Sequence, residues 1–156
     1  SFGTIDSRLK VKNHFSRYDS VGNLLEFSKV NGAKTCLIWG YNNSKVIAKI
    51  ENLDYASISQ SVIDNLQLLS NADNDNCSSG TCNEQTLRNA LNNLRTLYPQ
   101  SLITTYTHDP LIGVTSITDE RGKTGFYQYD EQSRLQLIRD NEGNILKGYE
   151  YHYKSN

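Results

Sequence analysis

Acid–base, thiol and metal chemistry all need titratable side chains brought close together, and three groups in this chain could supply them. The histidines are His14, His108 and His152. Carboxylates or amides follow a ring in Tyr18-Asp19, Tyr41-Asn42, His108-Asp109 and Tyr129-Asp130, an arrangement that invites an acid–base reading. Cys77 and Cys82 bracket the short polar loop Ser78-Ser79-Gly80-Thr81. The histidines lie far apart, without His-x-x-x-His or Cys-x-x-Cys spacing, so a metal site would need them to converge with a carboxylate in the fold. They read as strand residues standing in for a ring or an acid, and neither a catalytic residue, a metal nor a cofactor is expected.

The cysteine spacing can close as a disulfide, which implies an oxidising, extracytoplasmic compartment; free thiols are the alternative. A metal between them lacks partners, because no second Cys or His pair is near in sequence. Cys36, within Cys36-Leu37-Ile38-Trp39, reads as a buried small hydrophobe. Asn71-Ala72-Asp73-Asn74-Asp75-Asn76 opens like a calcium loop. Its sixth position is Asn76 in place of Gly and its twelfth is Cys82 in place of a bidentate Glu, so a solvated polar linker is expected.

The ring-containing dipeptides recur. Tyr129-Asp130 follows His108-Asp109 by 21 residues, Tyr151-His152 comes 22 later, and Tyr18-Asp19 and Tyr41-Asn42 are 23 apart. A period in the low twenties marks stacked supersecondary units, which build surfaces and scaffolds more often than a single catalytic pocket. Short β segments are expected over 8–12, 14–18, 23–30, 34–41, 45–51, 102–108, 113–118, 124–129, 133–139 and 144–153. The turns between them carry the Gly or Asn that positive φ requires, among them Asn31-Gly32 and Asn141-Glu142-Gly143-Asn144. Links this short join antiparallel hairpins. Alternation puts Tyr127 with Tyr129, and Tyr149 with Tyr151 and Tyr153, on one face, where a tyrosine ladder between units is expected. The Asp after each ring falls where strand meets turn, so its carboxylate can accept backbone amides.

The middle third breaks this pattern. Ile58, Val62, Leu66 and Leu69 recur at helical spacing, as do Leu87, Ala90, Leu91, Leu94 and Leu97. Thr81-Cys82-Asn83-Glu84 has the form of a capping box, Asn83 is itself a candidate N-cap, and Pro99 stops the second helix. The expected organisation is β repeats over 1–55, a helical hairpin with the cysteine loop over 56–99, and β repeats over 100–156, in one compact domain. Its fold class is mainly β, with antiparallel hairpins forming a curved sheet interrupted by two helices.

Composition narrows the function classes. The chain has 156 residues, 37% hydrophobic, with mean hydropathy −0.60. Lys+Arg number 16 against Asp+Glu 17, scattered singly, so nucleic acid is not an expected partner. No run approaches the roughly 20 apolar residues needed to span a bilayer, and none has the form of a secretory leader. The lack of Met suggests a mature fragment or an excised piece.

In that register, Gly125-Phe126-Tyr127-Gln128-Tyr129-Asp130, Ser133-Arg134-Leu135, Asp140-Asn141-Glu142-Gly143-Asn144-Ile145 and Tyr149-Glu150-Tyr151 are together similar to the YD repeat of bacterial Rhs-type proteins. Tyr18-Asp19-Ser20-Val21-Gly22-Asn23 resembles the same element with Asn23 in the Arg134 position, and Thr118-Asp119-Glu120-Arg121-Gly122 matches the mid-repeat turn. Ser133 replaces a Gly of the pattern and is expected to loosen its turn. Asp109-Pro110 with Gly113 resembles the self-cleaving element of that family, but the spacing is longer and no second acidic motif follows. The resemblance covers the β part of the chain, about two thirds of it, and leaves the helices unexplained. It implies a secreted or cell-surface protein whose spiralling sheet forms a shell or scaffold, as in toxin-encapsulating relatives. The first functional expectation is therefore a non-catalytic structural segment, its partners being the rest of a larger YD-repeat polypeptide or another secreted protein. The second is an adhesin-like module recognising a protein or a glycan through the helical hairpin and exposed aromatics.

Overall fold

A computed structural model describes residues 12–77 and 80–151. The segment 8–12, apart from Lys12, and residues His152 and Tyr153 lie outside them. Among the described residues nine strands follow one another in a single antiparallel meander: β1 (Asn13–Tyr18), β2 (Leu24–Lys29), β3 (Lys34–Gly40), β4 (Lys45–Glu51), β5 (Leu102–Asp109), β6 (Gly113–Thr118), β7 (Thr124–Tyr129), β8 (Leu135–Arg139) and β9 (Ile145–Gly148). Each strand pairs with its chain neighbours, and among the described residues β1 and β9 are the edges of the sheet. Between β4 and β5 come a 3₁₀ turn (Tyr55–Ser57) and two helices, α1 (Gln60–Ala72) and α2 (Asn83–Leu97). The fold is thus the mainly antiparallel sheet with a small helical insertion that the turn chemistry predicts.

The helices lie on one face of the sheet, α1 against β3 and α2 against β5. Their inward residues, Ile63, Leu66, Leu87, Leu91 and Leu94, join Cys36, Ile38, Ala48, Ile50 and Ile103 in one core. Leu97, expected on the apolar stripe of α2, is 53% exposed. Gly40 makes the close approach of α1 feasible, since a Cβ there would lie 2.3 Å from Ser70 Oγ and 2.9 Å from Ile47 Cγ2. On the other face Leu37, Lys49, Tyr106, Ile117, Tyr127 and Ile138 are half-buried without a covering layer of helices.

A bulge recurs where each of four strands reaches its aromatic residue. Opposite Tyr18, Trp39, His108 and Tyr129 the following strand carries one extra residue: Leu25, Ile47, Thr115 and Gln136 respectively. The extra residue explains why Ile47 and Ala48, and again Thr115 and Ser116, are buried in succession, which strict alternation forbids.

Candidate functional site

The aromatic positions act as clasps. Tyr129 Oη donates to the Val114 carbonyl at 2.8 Å, Tyr151 Oη to that of Leu135 at 2.8 Å, and Trp39 Nε1 to that of Leu24 at 2.8 Å. His108 Nε2 meets the Val46 carbonyl at 2.9 Å in the corresponding place, which fixes the proton on that nitrogen. In each case a ring at the end of one strand satisfies a carbonyl at the start of the strand before it. Trp39, and not Tyr41, is therefore the repeat equivalent of His108, Tyr129 and Tyr151. The corrected spacing from Tyr18 to Trp39 is 21 residues, matching the downstream intervals. Tyr18, on edge strand β1, is 55% exposed.

The acids build the turns. Asp130 Oδ1 accepts the Gln132 and Arg134 amides at 2.9 Å each, while Oδ2 accepts Arg134 Nε at 2.8 Å. Asp19 does the same with Val21, Asn23 and the Asn23 side chain, and Asp140 with Glu142, Asn144 and the Asn144 side chain. These bonds hold all three carboxyls below their ordinary range: the Arg134 side chain leads for Asp130 and the Asn144 side chain for Asp140, while at Asp19 the turn amides outweigh an opposing desolvation. Asp119 caps an equivalent turn between β6 and β7. The fourth turn residue is left-handed throughout: Gly22 at φ 92°, Gly122 at 79°, Gly143 at 85° and Ser133 at 58°. Ser133 makes the same turn with the same bonds, so its turn is strained and not loosened. Arg134 also stacks its guanidinium 4.4 Å from the Tyr151 ring of the next unit.

The expected tyrosine ladder is not a stack of rings. Tyr127 pairs with Ile138 and Tyr129 with Leu135, and equivalent tyrosines stand two strands apart, about 10 Å. Among the described residues the ring contacts are Phe15–Phe27, Tyr41–His108 and Tyr106–His108. Tyr106, Tyr127 and Tyr149 still share the uncovered face, and burial followed by the nearby Tyr149 and Tyr106 raises the Tyr127 phenol.

The insertion meets the sheet at two polar clusters. In the first, Tyr41 is buried under α1, and its hydroxyl accepts the His108 amide at 2.9 Å while donating to Asp73 Oδ2 at 2.6 Å. The Tyr41 amide donates to Ser70 Oγ at 3.1 Å, and that of Asn42 to Asn71 Oδ1 at 2.6 Å. Asp73 is only 6% exposed and its Oδ1 has no hydrogen-bond partner. Burial, with the charge of Glu84 adding to it, pushes its carboxyl up to about 6 despite the Tyr41 bond. Burial likewise raises the Tyr41 phenol and lowers His108, which is held neutral. A cleft of about 470 Å³ opens here, lined by Asp73, Asp75, Asn76, His108, Asp109 and Leu111. Asp109 itself closes the β5–β6 turn by accepting the Leu111 amide at 2.9 Å.

The second cluster lies under α2. Glu84 and Arg88, 1% and 3% exposed, form an ion pair at 3.1 Å. Glu84 Oε1 also accepts the hydroxyls of Thr107, at 2.7 Å, and Thr115, while Oε2 accepts the Cys77 amide at 2.8 Å. Arg88 donates to Ser116 Oγ at 3.2 Å and to the Cys77 carbonyl, and its guanidinium lies 5.0 Å from the Phe126 ring. The core thus turns from aliphatic under α1 to ionic and hydroxylic under α2. Farther along α2, Arg95 donates to the carbonyls of Ile103, at 2.8 Å, and Asp119, at 2.7 Å, fixing the helix to the β6–β7 turn.

Cys77 and Cys82 are joined by a disulfide, and Cys36 is a free, buried thiol that burial pushes up to about 12. The N-cap of α2 is Cys82, neither Thr81 nor Asn83; its Sγ accepts the Gln85 amide at 3.2 Å. Asp75 supplies the rest of the cap, taking the Asn83 and Glu84 amides at 2.9 and 3.0 Å, so Glu84 is released from capping into the core. The 71–76 tract is correspondingly more than a solvated linker: Asn71 and Ala72 end α1, Asp73 is buried and Asp75 caps α2. Glu84 and Arg88 escape a sequence reading because an acid in a first helical turn and a mid-helix Arg both look solvent-facing. Their one legible signal is the run of Thr and Ser on β5 and β6, a strand face too polar to pack against leucines.

No helix among the described residues is long and apolar enough to cross a membrane. No protein-family model and no curated protein matches the chain.

Proposed function

We propose that the chain is a non-catalytic wall segment of a secreted or surface protein of the Rhs/YD-repeat kind, with the helical insertion covering one face of the sheet. The observation that carries this reading is the recurrence of one unit, a clasping ring, a bulge and an aspartate turn, along a meander whose two outer strands have no outer partner among the described residues. Such a unit contacts only its neighbours, so it can be added indefinitely. The side chains that might have done chemistry are committed elsewhere: His108 to the Val46 carbonyl, Asp19 and Asp130 to turns, and Glu84 to Arg88 and two threonines. The disulfide is compatible with an extracytoplasmic site. Hydrogen exchange tests the reading. The β1 and β9 amides that face outward should exchange freely in this chain and at least tenfold more slowly in the longer polypeptide; equal exchange in both refutes a continuing wall.

The adhesin-like reading rests on a different observation, the cleft at Asp73 beside the exposed Leu111. It predicts a protein or glycan ligand whose binding is lost on Leu111→Asp; a ligand insensitive to that change would remove this reading.

A further inference from the structure

Beside the N-terminus of α2, the fold brings a third donor atom to the bonded sulfurs of Cys77 and Cys82. One carboxylate oxygen of Asp75 and the Sγ atoms of Cys77 and Cys82 all lie within 4.8 Å of one another. The partner that the cysteine loop lacks in sequence is thus supplied by the folded 71–76 tract. We propose that the reduced form of this loop is a zinc site, with Cys77, Cys82 and Asp75 as ligands and water in the fourth position. The disulfide and the metal are then alternative closures of the same loop.

The step balances with a dithiol or phosphine reductant. A dithiol gives two electrons and two protons to the S–S bond and becomes a disulfide, whereas a phosphine gives two electrons and water supplies both protons and the oxygen of the phosphine oxide; Zn²⁺ then displaces both thiol protons as the thiolates bind. Two thiolates at about 2.3 Å from a tetrahedral zinc stand about 3.8 Å apart. The Cα atoms of Cys77 and Cys82 are 6.6 Å apart, so side-chain rotation can provide that separation without moving the backbone.

Each ligand is already held from behind. The Cys77 amide is bound by Glu84 Oε2 and its carbonyl by Arg88, contacts made by the backbone and not by the sulfur. Cys82 is the N-cap of α2, where its Sγ faces the Gln85 amide and the positive end of the helix favours thiolate. Asp75 is oriented by the Asn83 and Glu84 amides, and each carboxylate oxygen keeps a further lone pair for a metal. Asp75 is exposed and lines the 470 Å³ cleft, which gives solvent access to the fourth position.

The test uses the whole chain, reduced with a phosphine and freed of it anaerobically. Titration with Co²⁺ should give a thiolate-to-metal charge-transfer band saturating at one equivalent, displaced by Zn²⁺, with no band from the oxidised protein. Cys82→Ser should lose tight binding and Asp75→Asn should weaken it at least tenfold, while Cys36→Ala leaves it unchanged. Where Cys82→Ser does not fold, alkylation of the unaltered reduced chain decides: one equivalent of Zn²⁺ should protect Cys77 and Cys82. Absence of stoichiometric binding, an unchanged affinity in Asp75→Asn, or alkylation indifferent to Zn²⁺ overturns the proposal.

Discussion

Replacing Arg88 by Leu should destabilise the fold by about 3 kcal/mol, because it strips a buried carboxylate of its counter-charge. Removing one partner of a buried ion pair costs about 3–5 kcal/mol. The lower end applies because Glu84 keeps three donors, the Thr107 and Thr115 hydroxyls and the Cys77 amide. With a urea m-value of about 2 kcal/mol/M, the midpoint should fall by about 1.5 M. The informative comparison is a double-mutant cycle with Glu84→Gln, which keeps the acceptor oxygen and removes the charge. Glu84→Gln alone should also destabilise, since it leaves the guanidinium buried without its partner. In the Arg88→Leu background it should instead recover stability, so that the double variant costs about 1–3 kcal/mol less than the sum of the singles. Equilibrium unfolding followed by far-UV circular dichroism at fixed pH measures all four corners. Additive single effects, or an Arg88→Leu cost below about 1 kcal/mol, would refute the claim that the pair acts as one unit in the core.

Four further outcomes follow from the same geometry. Tyr129→Phe should cost about 1 kcal/mol by deleting the clasp to Val114 while leaving the ring, and an unchanged midpoint would show the clasp to be incidental. Gly40→Ala should cost about 1–3 kcal/mol as α1 is pushed from β3, read as faster exchange of the Tyr41 amide bound to Ser70. Asp73 binds its proton more tightly folded, near pH 6, than its ordinary value of 3.8, so its contribution to stability is full below 3.8 and lost as pH rises through 6. Asp73→Asn should flatten stability across that window, and an identical pH profile would contradict it. Ser133→Gly should raise the melting temperature, because the left-handed φ of 58° strains any residue with a Cβ.

Legibility in the sequence divides along physical lines. The hairpins were readable because their turns need Gly, Asn or Asp at fixed offsets, and β4, β6 and β7 fall on their expected bounds. Leu87, Leu91 and Leu94 were readable because a helix buries one stripe. The register of the aromatic repeat was off by two residues at Tyr41, because Tyr41-Asn42 copies the pattern of a ring before a turn-forming side chain, whereas Trp39, which makes the clasp, is followed by Gly40. Tyr41 looked like a repeat residue and is instead a buried strut between α1 and β5. The clusters at Asp73 and Glu84 were illegible for a related reason: each acid is buried by partners 23 to 32 residues away, beyond any local pattern.

The count of strands carries a rule for assembly. With an odd number in strict alternation among the described residues, β1 and β9 run in the same direction. Two copies placed head to tail would bring like-directed edges together, giving a parallel seam unlike every pairing inside the sheet. Antiparallel joining of copies needs β1 against β1, or β9 against β9, across a two-fold axis. Joining copies in one direction therefore needs a strand of opposite sense at the junction.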